Sequence, residues 1–168
     1  DIDDQLCDNL SFTGWHTGYP DAGVQVIPDS CREIPFETNS LFFLAEFSEE
    51  SNALCPRTLL RRVIERANKL GFTPIAALEY EFSVFAETPH SIREKNFHDL
   101  TPITPGNFGY SIIRNTVLAE FHQELLTFCE QMNMPLESTH TEIGPGFIEA
   151  AIAYDNALPA ADKAALFK

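Results

Sequence analysis

Two long stretches of the chain carry apolar residues at helical spacing. Between Pro56 and Leu70, leucine, valine, isoleucine and alanine recur every three or four residues, and Gly71 follows in the position that commonly ends a helix. The stretch 113–132 repeats this spacing with valine, phenylalanine, leucine and methionine. The pattern therefore predicts a helix over each stretch, and a third helix is predicted to begin near Pro159.

Shorter segments are rich in β-branched and aromatic residues or alternate between apolar and polar positions, as strands do. Strands are predicted at 23–27, 41–47, 74–85, 136–143 and 147–154. The last two are joined by Gly144-Pro145-Gly146, which can reverse the chain. Stretches rich in proline and glycine predict loops at 1–22, 28–40 and 87–109. Helices mixed with short strands indicate an α+β fold.

Composition narrows the classes of partner. Hydrophobic residues make up 44% of the 168 positions, which is enough for a packed core, while the net charge is −14. Such a negative field repels nucleic acid and anionic lipid headgroups, so neither nucleic acid nor a membrane is expected as a partner. No run of about 18 apolar residues predicts a membrane helix. The four cysteines form no C-x-x-C pair, which favours reduced thiols and a cytoplasmic location.

Both ends of the chain have the character of cut ends. There is no initiator methionine, and the alanine-rich pattern of residues 160–168 runs to the last position without a terminating glycine or proline. We therefore expect a fragment of a longer protein.

An unusual pair of carboxylates stands in the predicted strand 74–85. Glu79 and Glu81 are two residues apart, so they share one face of the strand, roughly 7 Å apart. The other face is entirely apolar and should pack on a core. Glu142 and Glu149 flank the predicted reversal at residues 144–146, so they could converge on neighbouring strands. Four carboxylates with no basic residue nearby in sequence would suit Mg²⁺ or Mn²⁺.

The spacing of these glutamates does not single out a metal site. A pair of glutamates on a solvated sheet face is common in proteins that bind no metal. Paired carboxylates also serve general acid–base hydrolysis, as in glycosidases. A carboxylate hydrolase or a simple cation-binding domain therefore remains compatible with the pattern.

Several motifs resemble those of the glutamine synthetase family. The segment 77–82 (ALEYEF) is similar to its E-x-E-F strand, and 142–149 (EIGPGFIE) to its E-x-x-P-G-Q-x-E motif. Pro56-Arg57 matches a P-R dipeptide before a helix, and 155–168 matches a following helix start. The resemblance covers nearly the whole chain in the right order, and 142–146 with the ending 157–168 is closest to the branch that contains γ-glutamylpolyamine synthetases.

The resemblance implies metal-binding and nucleotide-binding roles for five glutamates. Glu81, Glu142 and Glu149 match the ligands of the metal that contacts glutamate, which also makes Glu81 a substrate-binding residue. Glu79 matches a ligand of the second metal, beside the phosphates of ATP. Glu137 matches a glutamate that contacts the nucleotide, although a surface charge at a strand end would look the same.

The resemblance also assigns residues near the start of the chain. Asp8 and Ser11, followed by Gly14-Trp15, look like the family's D-G-S-S-x-x-G-W loop. Asp8 would then be the catalytic residue that binds ammonium and helps to remove its proton, with Ser11 beside it as a substrate-binding residue. In this family the loop serves the adjoining subunit's active site. An ordinary turn aspartate is the alternative for Asp8.

The implied architecture and reaction follow from the family. Residues 1–50 would form the C-terminal part of a β-grasp domain, and 51–168 the first part of an antiparallel catalytic barrel. The complete protein would use ATP and Mg²⁺ or Mn²⁺ to ligate the glutamate γ-carboxylate to ammonia or an amine through γ-glutamyl phosphate, as a ring-shaped homo-oligomer. The fragment alone should be inactive, because later catalytic elements are missing.

One departure from the family pattern leaves a second function open. Phe147 stands where the family usually has glutamine, which removes a polar group beside the predicted metals. Substrate orientation or activity could be altered by this change. A non-catalytic relative that keeps the fold as a binding or assembly protein is therefore the alternative to a ligase.

Overall fold

The computed structural model describes residues 14–168, with the backbone alone at positions 49 and 50. Within that range the helices are α1 Pro56–Lys69, α2 Pro89–Glu94, α3 Ile112–Val117, α4 Ala119–Gln131 and α5 Ala157–Phe167. The strands are β1 Val24–Val26, β2 Arg32–Glu33, β3 Leu41–Phe42, β4 Ala45–Phe47, β5 Ile75–Ala76, β6 Glu79–Ser83, β7 Leu136–Thr141, β8 Phe147–Ile152 and β9 Asp155–Asn156. The predicted α+β character is confirmed.

All strand pairs are antiparallel, and one small sheet dominates. β6, β8 and β7 form a three-stranded sheet in that order. The other strands form three two-stranded pairs: β1 with β4, β2 with β3, and β5 with β9. The β-grasp assignment for residues 1–50 stays a prediction, because the described strands of that segment form two short ribbons.

The core lies on one face of the three-stranded sheet. Ile148, Ala150 and Ile152 of β8 are almost completely buried, and they alternate with the residues of the opposite face. The hydroxyl of Tyr80 donates a hydrogen bond to the carbonyl of Ala164 in α5 (2.8 Å). Buried Cys129, Met132 and Met134 from α4 and the turn after it form a cluster with Leu125, Leu136, Leu166 and Phe167. Helices therefore cover this face and leave the other open.

Three predicted elements are interrupted in the structure. The strand expected over 41–47 is split into β3 and β4, which pair with different strands. The strand expected over 74–85 is split into β5 and β6, and β5 pairs with β9 outside the main sheet. The helix expected over 113–132 breaks at Leu118, which separates α3 from α4. Asn115 of α3 accepts a hydrogen bond from the backbone N–H of Thr141 (2.9 Å), so α3 is tethered to the end of β7. Short elements also lie in the predicted loops, namely α2 in 87–109 and β2 in 28–40.

Helix α1 begins at Pro56 and ends one residue before Leu70, as predicted. The side of the helix that is buried differs from the side that the apolar spacing predicted. Leu59 and Val63 were expected inside and are 60% and 56% exposed. Arg57 and Arg61 turn inward instead, because both donate to the carboxylate of Glu46 in β4. These ion-paired arginines therefore occupy part of the helix face that the apolar spacing predicted to be buried. Across residues 14–168, no helix combines the length and the apolar character that a membrane span requires.

Candidate metal centre

Strand pairing places a row of ionisable side chains across the open face of the main sheet. Glu81 in β6 lies directly opposite Glu149 in β8, and Glu149 lies directly opposite His140 in β7. Glu79 is one pleat further along β6 on the same face, opposite Ala151. Side chains directly opposite on antiparallel strands are neighbours, so three strands deliver Glu81, Glu149 and His140 to one place.

Glu142 enters this row from the end of β7. Its backbone N–H donates to the carbonyl of Phe147 (2.8 Å), which fixes it at the start of the turn between β7 and β8. One ligand atom each from His140, Glu142 and Glu149 lies within 4.8 Å of the others. His140 Nδ1 is 3.9 Å from Glu142 Oε1, and His140 Nε2 is 3.8 Å from Glu149 Oε1. These distances leave room for a small ion among the three side chains.

The two carboxylates of this group differ in their protonation behaviour. Burial raises the pKa of Glu149, and the negative charges of Glu79 and Glu142 add to that rise, while His140 opposes it. The pKa of Glu142 is lowered, because the Tyr110 hydroxyl and the backbone N–H of Ile143 stabilise its charged form. The same contact with Glu142 raises the pKa of Tyr110 to about 12. Tyr110 therefore stays protonated at neutral pH and adds no charge to the cleft.

One buried oxygen of this group lacks a partner. Glu142 is 8% exposed, and its Oε2 accepts a hydrogen bond from the N–H of Ile143 (2.9 Å). Its Oε1 is buried and meets no donor in hydrogen-bonding geometry among residues 14–168. A buried carboxylate oxygen without a donor is costly, and a cation would satisfy it. The donor set of carboxylates with one imidazole therefore fits a divalent ion such as Mn²⁺ or Mg²⁺.

Comparison with known proteins identifies the family of this chain. A family model described as "Glutamine synthetase, catalytic domain" matches residues 53–168. The chain belongs to the glutamine synthetase family. That match begins shortly before α1 and includes every residue of the ionisable row.

Curated relatives of this glutamine synthetase-family chain are considerably longer. Type-1 glutamine synthetase 2 of Dictyostelium discoideum is 40% identical over 171 residues, which cover all of this chain and 33% of that protein. Glutamate--isopropylamine ligase of Pseudomonas sp is 34% identical over 173 residues, covering all of this chain and 37% of that protein. The chain therefore spans about a third of the length of these relatives.

A solved structure shares the fold at low sequence identity. The structure described as "GmaS/ADP complex-Conformation 1" has a TM-score of 0.72 and 18% identity. The superposition covers 95% of this chain and 35% of that one. The chain therefore has the fold of the corresponding part of that structure.

The structure brings the predicted glutamates together to different degrees. Glu79, Glu81, Glu142 and Glu149 share the open face, and the first two are exposed there. Glu137 is also exposed and lies in a register shift between Leu136 and Ser138, so it has no cross-strand partner. Asp8 and Ser11 lie outside the described residues. The roles of all these residues remain predictions.

Two residues of the site were not predicted as part of it. The sequence left two interpretations of His140 open, a place near the metals or an ordinary polar residue of a strand, and the second was preferred; the structure places its imidazole between two carboxylates. Its position two residues before Glu142 was the available signal, because that spacing puts both on one side of an extended chain. Tyr110 gave no such signal. It reaches the site only because its backbone N–H bonds to the carbonyl of Thr141 (2.8 Å), 31 residues later.

Phe147 also lies on the open face. It is two residues before Glu149 in β8, opposite Ser83 of β6, and half-buried. Its ring therefore adds an apolar surface beside the row of carboxylates. The expected effect of Phe147 on substrate orientation stays a prediction.

Proposed function

We propose that the complete protein is an ATP-dependent ligase that joins the γ-carboxylate of glutamate to ammonia or an amine through γ-glutamyl phosphate. The observation that carries this proposal is the row Glu81–Glu149–His140 with the unpartnered oxygen of Glu142 beside it. Membership of the glutamine synthetase family and relatives named as ligases support the same reaction.

The glutamates of the row would hold the divalent ions that this reaction needs. Glu81, Glu142 and Glu149 would bind one Mg²⁺ or Mn²⁺, and Glu79 would bind a second. Such ions, when bound, neutralise charge on phosphate oxygens and align the reacting groups. The sheet holds the carboxylates in place through backbone hydrogen bonds on both sides of β8, so little reorganisation is needed when a substrate arrives.

Other residues complete the proposed site around these glutamates. Glu137 would contact the nucleotide at the edge of the sheet. Asp8 and Ser11 would bind the incoming amine in the site of an adjoining subunit, and Asp8 would help to remove its proton. This arrangement requires the ring-shaped homo-oligomer that the family resemblance implies.

The proposed domain division follows the same reasoning. Residues 1–50 would end a β-grasp domain, and residues 51–168 would begin an antiparallel catalytic barrel. The start of the family match at residue 53 and the two small ribbons before α1 support this division.

The test measures ADP release by the full-length protein with glutamate, ATP and a panel of amines. Glu142→Gln and Glu149→Gln should each lower turnover by about 100-fold or more, since even indirect partners of a metal cost 10- to 100-fold. Glu65→Gln, on the exposed side of α1, is the matched control and should leave turnover unchanged.

A second readout separates metal binding from activity. Mn²⁺ binding followed by electron paramagnetic resonance should weaken in Glu142→Gln and Glu149→Gln but not in Glu65→Gln. Wild-type protein that turns over no amine would favour the alternative, a non-catalytic binding or assembly protein with Phe147 in place of the polar residue.

A further inference from the structure

A patch of exposed apolar side chains borders the metal centre on the side of Glu142. Phe108, Tyr110 and Ile143 are 52%, 64% and 67% exposed, and we call them the apolar rim. A ligand bound at the metal centre would therefore contact apolar side chains on this side.

The fold holds the rim directly against the cleft. The hydroxyl of Thr141 donates a hydrogen bond to the carbonyl of Phe108 (3.3 Å). The carbonyl of Thr141 accepts one from the backbone N–H of Tyr110 (2.8 Å). Gly109 is packed so closely that a Cβ there would lie 3.0 Å from the backbone nitrogen of Ile143. The rim is therefore fixed in place by backbone contacts.

Tyr110 is held in a conformation that costs energy. Its φ of 59° lies in the left-handed region, which is uncommon for an aromatic residue. The ring lies 5.1 Å from the ring of His140, with planes tilted by 40°. Strain of this kind persists where surrounding contacts enforce it and is concentrated at functional sites. Here it turns an aromatic face toward the ionisable row.

A positive charge closes the far end of the rim. The guanidinium of Arg114 lies over the ring of Phe108, 4.5 Å from its centroid. Among the side chains that the structure describes, no carboxylate forms an ion pair with Arg114. The surface therefore runs from carboxylates at Glu142, across apolar side chains, to an unneutralised cation.

We propose that the apolar rim selects a primary monoamine with a short apolar substituent as the acceptor, in preference to ammonia and to diamines. This inference rests on the proposed ligase function and specifies its acceptor. The amino group would lie toward Glu142 and the substituent on Ile143 and Phe108. Ammonia has no substituent to cover the rim, and a diamine would bring its second ammonium group toward Arg114.

Two pairs of substrates test this selection in the full-length protein. Isopropylamine against ammonia tests the apolar contact, and butylamine against butane-1,4-diamine differs only by a terminal ammonium group. We expect kcat/KM at equal free-base concentration to favour isopropylamine over ammonia by about 10-fold or more, since one methylene in an apolar pocket is worth about that. Butylamine should be favoured over the diamine because Arg114 repels the second ammonium group.

Variants assign each preference to its residue. Ile143→Thr should lower kcat/KM for isopropylamine relative to that for ammonia, by about fourfold for each methylene group that no longer covers the substrate. Ile75→Thr is the matched control, because Ile75 is 64% exposed on the separate β5–β9 pair, and it should change neither value. Arg114→Gln should raise kcat/KM for the diamine and so reduce the difference in kcat/KM between butylamine and the diamine.

The outcomes that overturn the inference differ from those that overturn the function. Turnover with ammonia that equals or exceeds turnover with isopropylamine would refute the selection and keep the ligase. A higher kcat/KM for the diamine than for butylamine would also refute the selection and keep the ligase. So would an Ile143→Thr variant that changes kcat/KM for ammonia and for isopropylamine equally. Failure of all four amines would refute the ligase function and the selection together.

Discussion

Replacing Arg57 by alanine is expected to destabilise the protein by about 3 kcal/mol, because this side chain connects three elements. Its guanidinium binds Asp162 of α5 through two parallel hydrogen bonds of 2.9 and 3.0 Å, and Glu46 of β4 through a third of 3.0 Å. The three side chains are only 18–20% exposed, so water can do little to compensate the carboxylates once the guanidinium is removed.

The magnitude follows from what alanine leaves behind. Removing one partner of a partly buried ion pair costs about 3–5 kcal/mol, since the remaining carboxylates stay buried without compensation. Arg61 still contacts Glu46, which places the expected loss at the lower end of that range. Arg57→Lys keeps the charge but loses the two-pronged geometry toward Asp162, and should cost about 1–2 kcal/mol.

Urea unfolding followed by circular dichroism measures this loss. Arg62→Ala is the control, because Arg62 is exposed on the same helix and should change stability by less than about 0.5 kcal/mol. A double-mutant cycle of Arg57→Ala with Asp162→Ala should give a coupling energy above about 1 kcal/mol. Equal losses for Arg57→Ala and Arg62→Ala, or no coupling with Asp162, would show that the network does not hold α1 to α5.

Three further predictions concern the main sheet. Ile148→Ala should cost about 3–4 kcal/mol in unfolding free energy, because Ile148 is fully buried and its truncation leaves a cavity. Gly146→Ala should cost about 2 kcal/mol or more by the same assay, since its φ of 65° is left-handed and a Cβ would lie 2.5 Å from the carbonyl oxygen of Val84. The folded-state pKa of Glu149 is raised above its ordinary value of 4.5. Without metal, protonated Glu149 therefore stabilises the folded state at low pH, and this stabilisation is lost as the pH rises from 4.5 through the folded-state pKa. In chelator, Glu149→Gln should therefore be more stable than the wild type at pH 7 and equally stable below about pH 4. Saturating Mn²⁺ should stabilise only the wild type. Thermal melts at each pH, with and without Mn²⁺, measure both effects.

The sequence by itself determined the secondary structure wherever one local rule applied. Pro56 and Gly71 bounded α1 within a residue, because the restricted backbone of proline and the freedom of glycine act locally. The spacing of Glu79 and Glu81 put both on one face of β6 for the same local reason. The motifs at 77–82 and 142–149 also identified the family, since they keep residue types at fixed spacing.

Tertiary structure decided which of these residues meet. The register that pairs Glu81 with Glu149 and Glu149 with His140 depends on hydrogen bonds between strands that are far apart in sequence. Tyr110 joins the site only through a loop that packs on the end of β7. The inward turn of Arg57 depends on carboxylates that other elements supply. No local pattern encodes such contacts, because their energy exists only after the chain has folded.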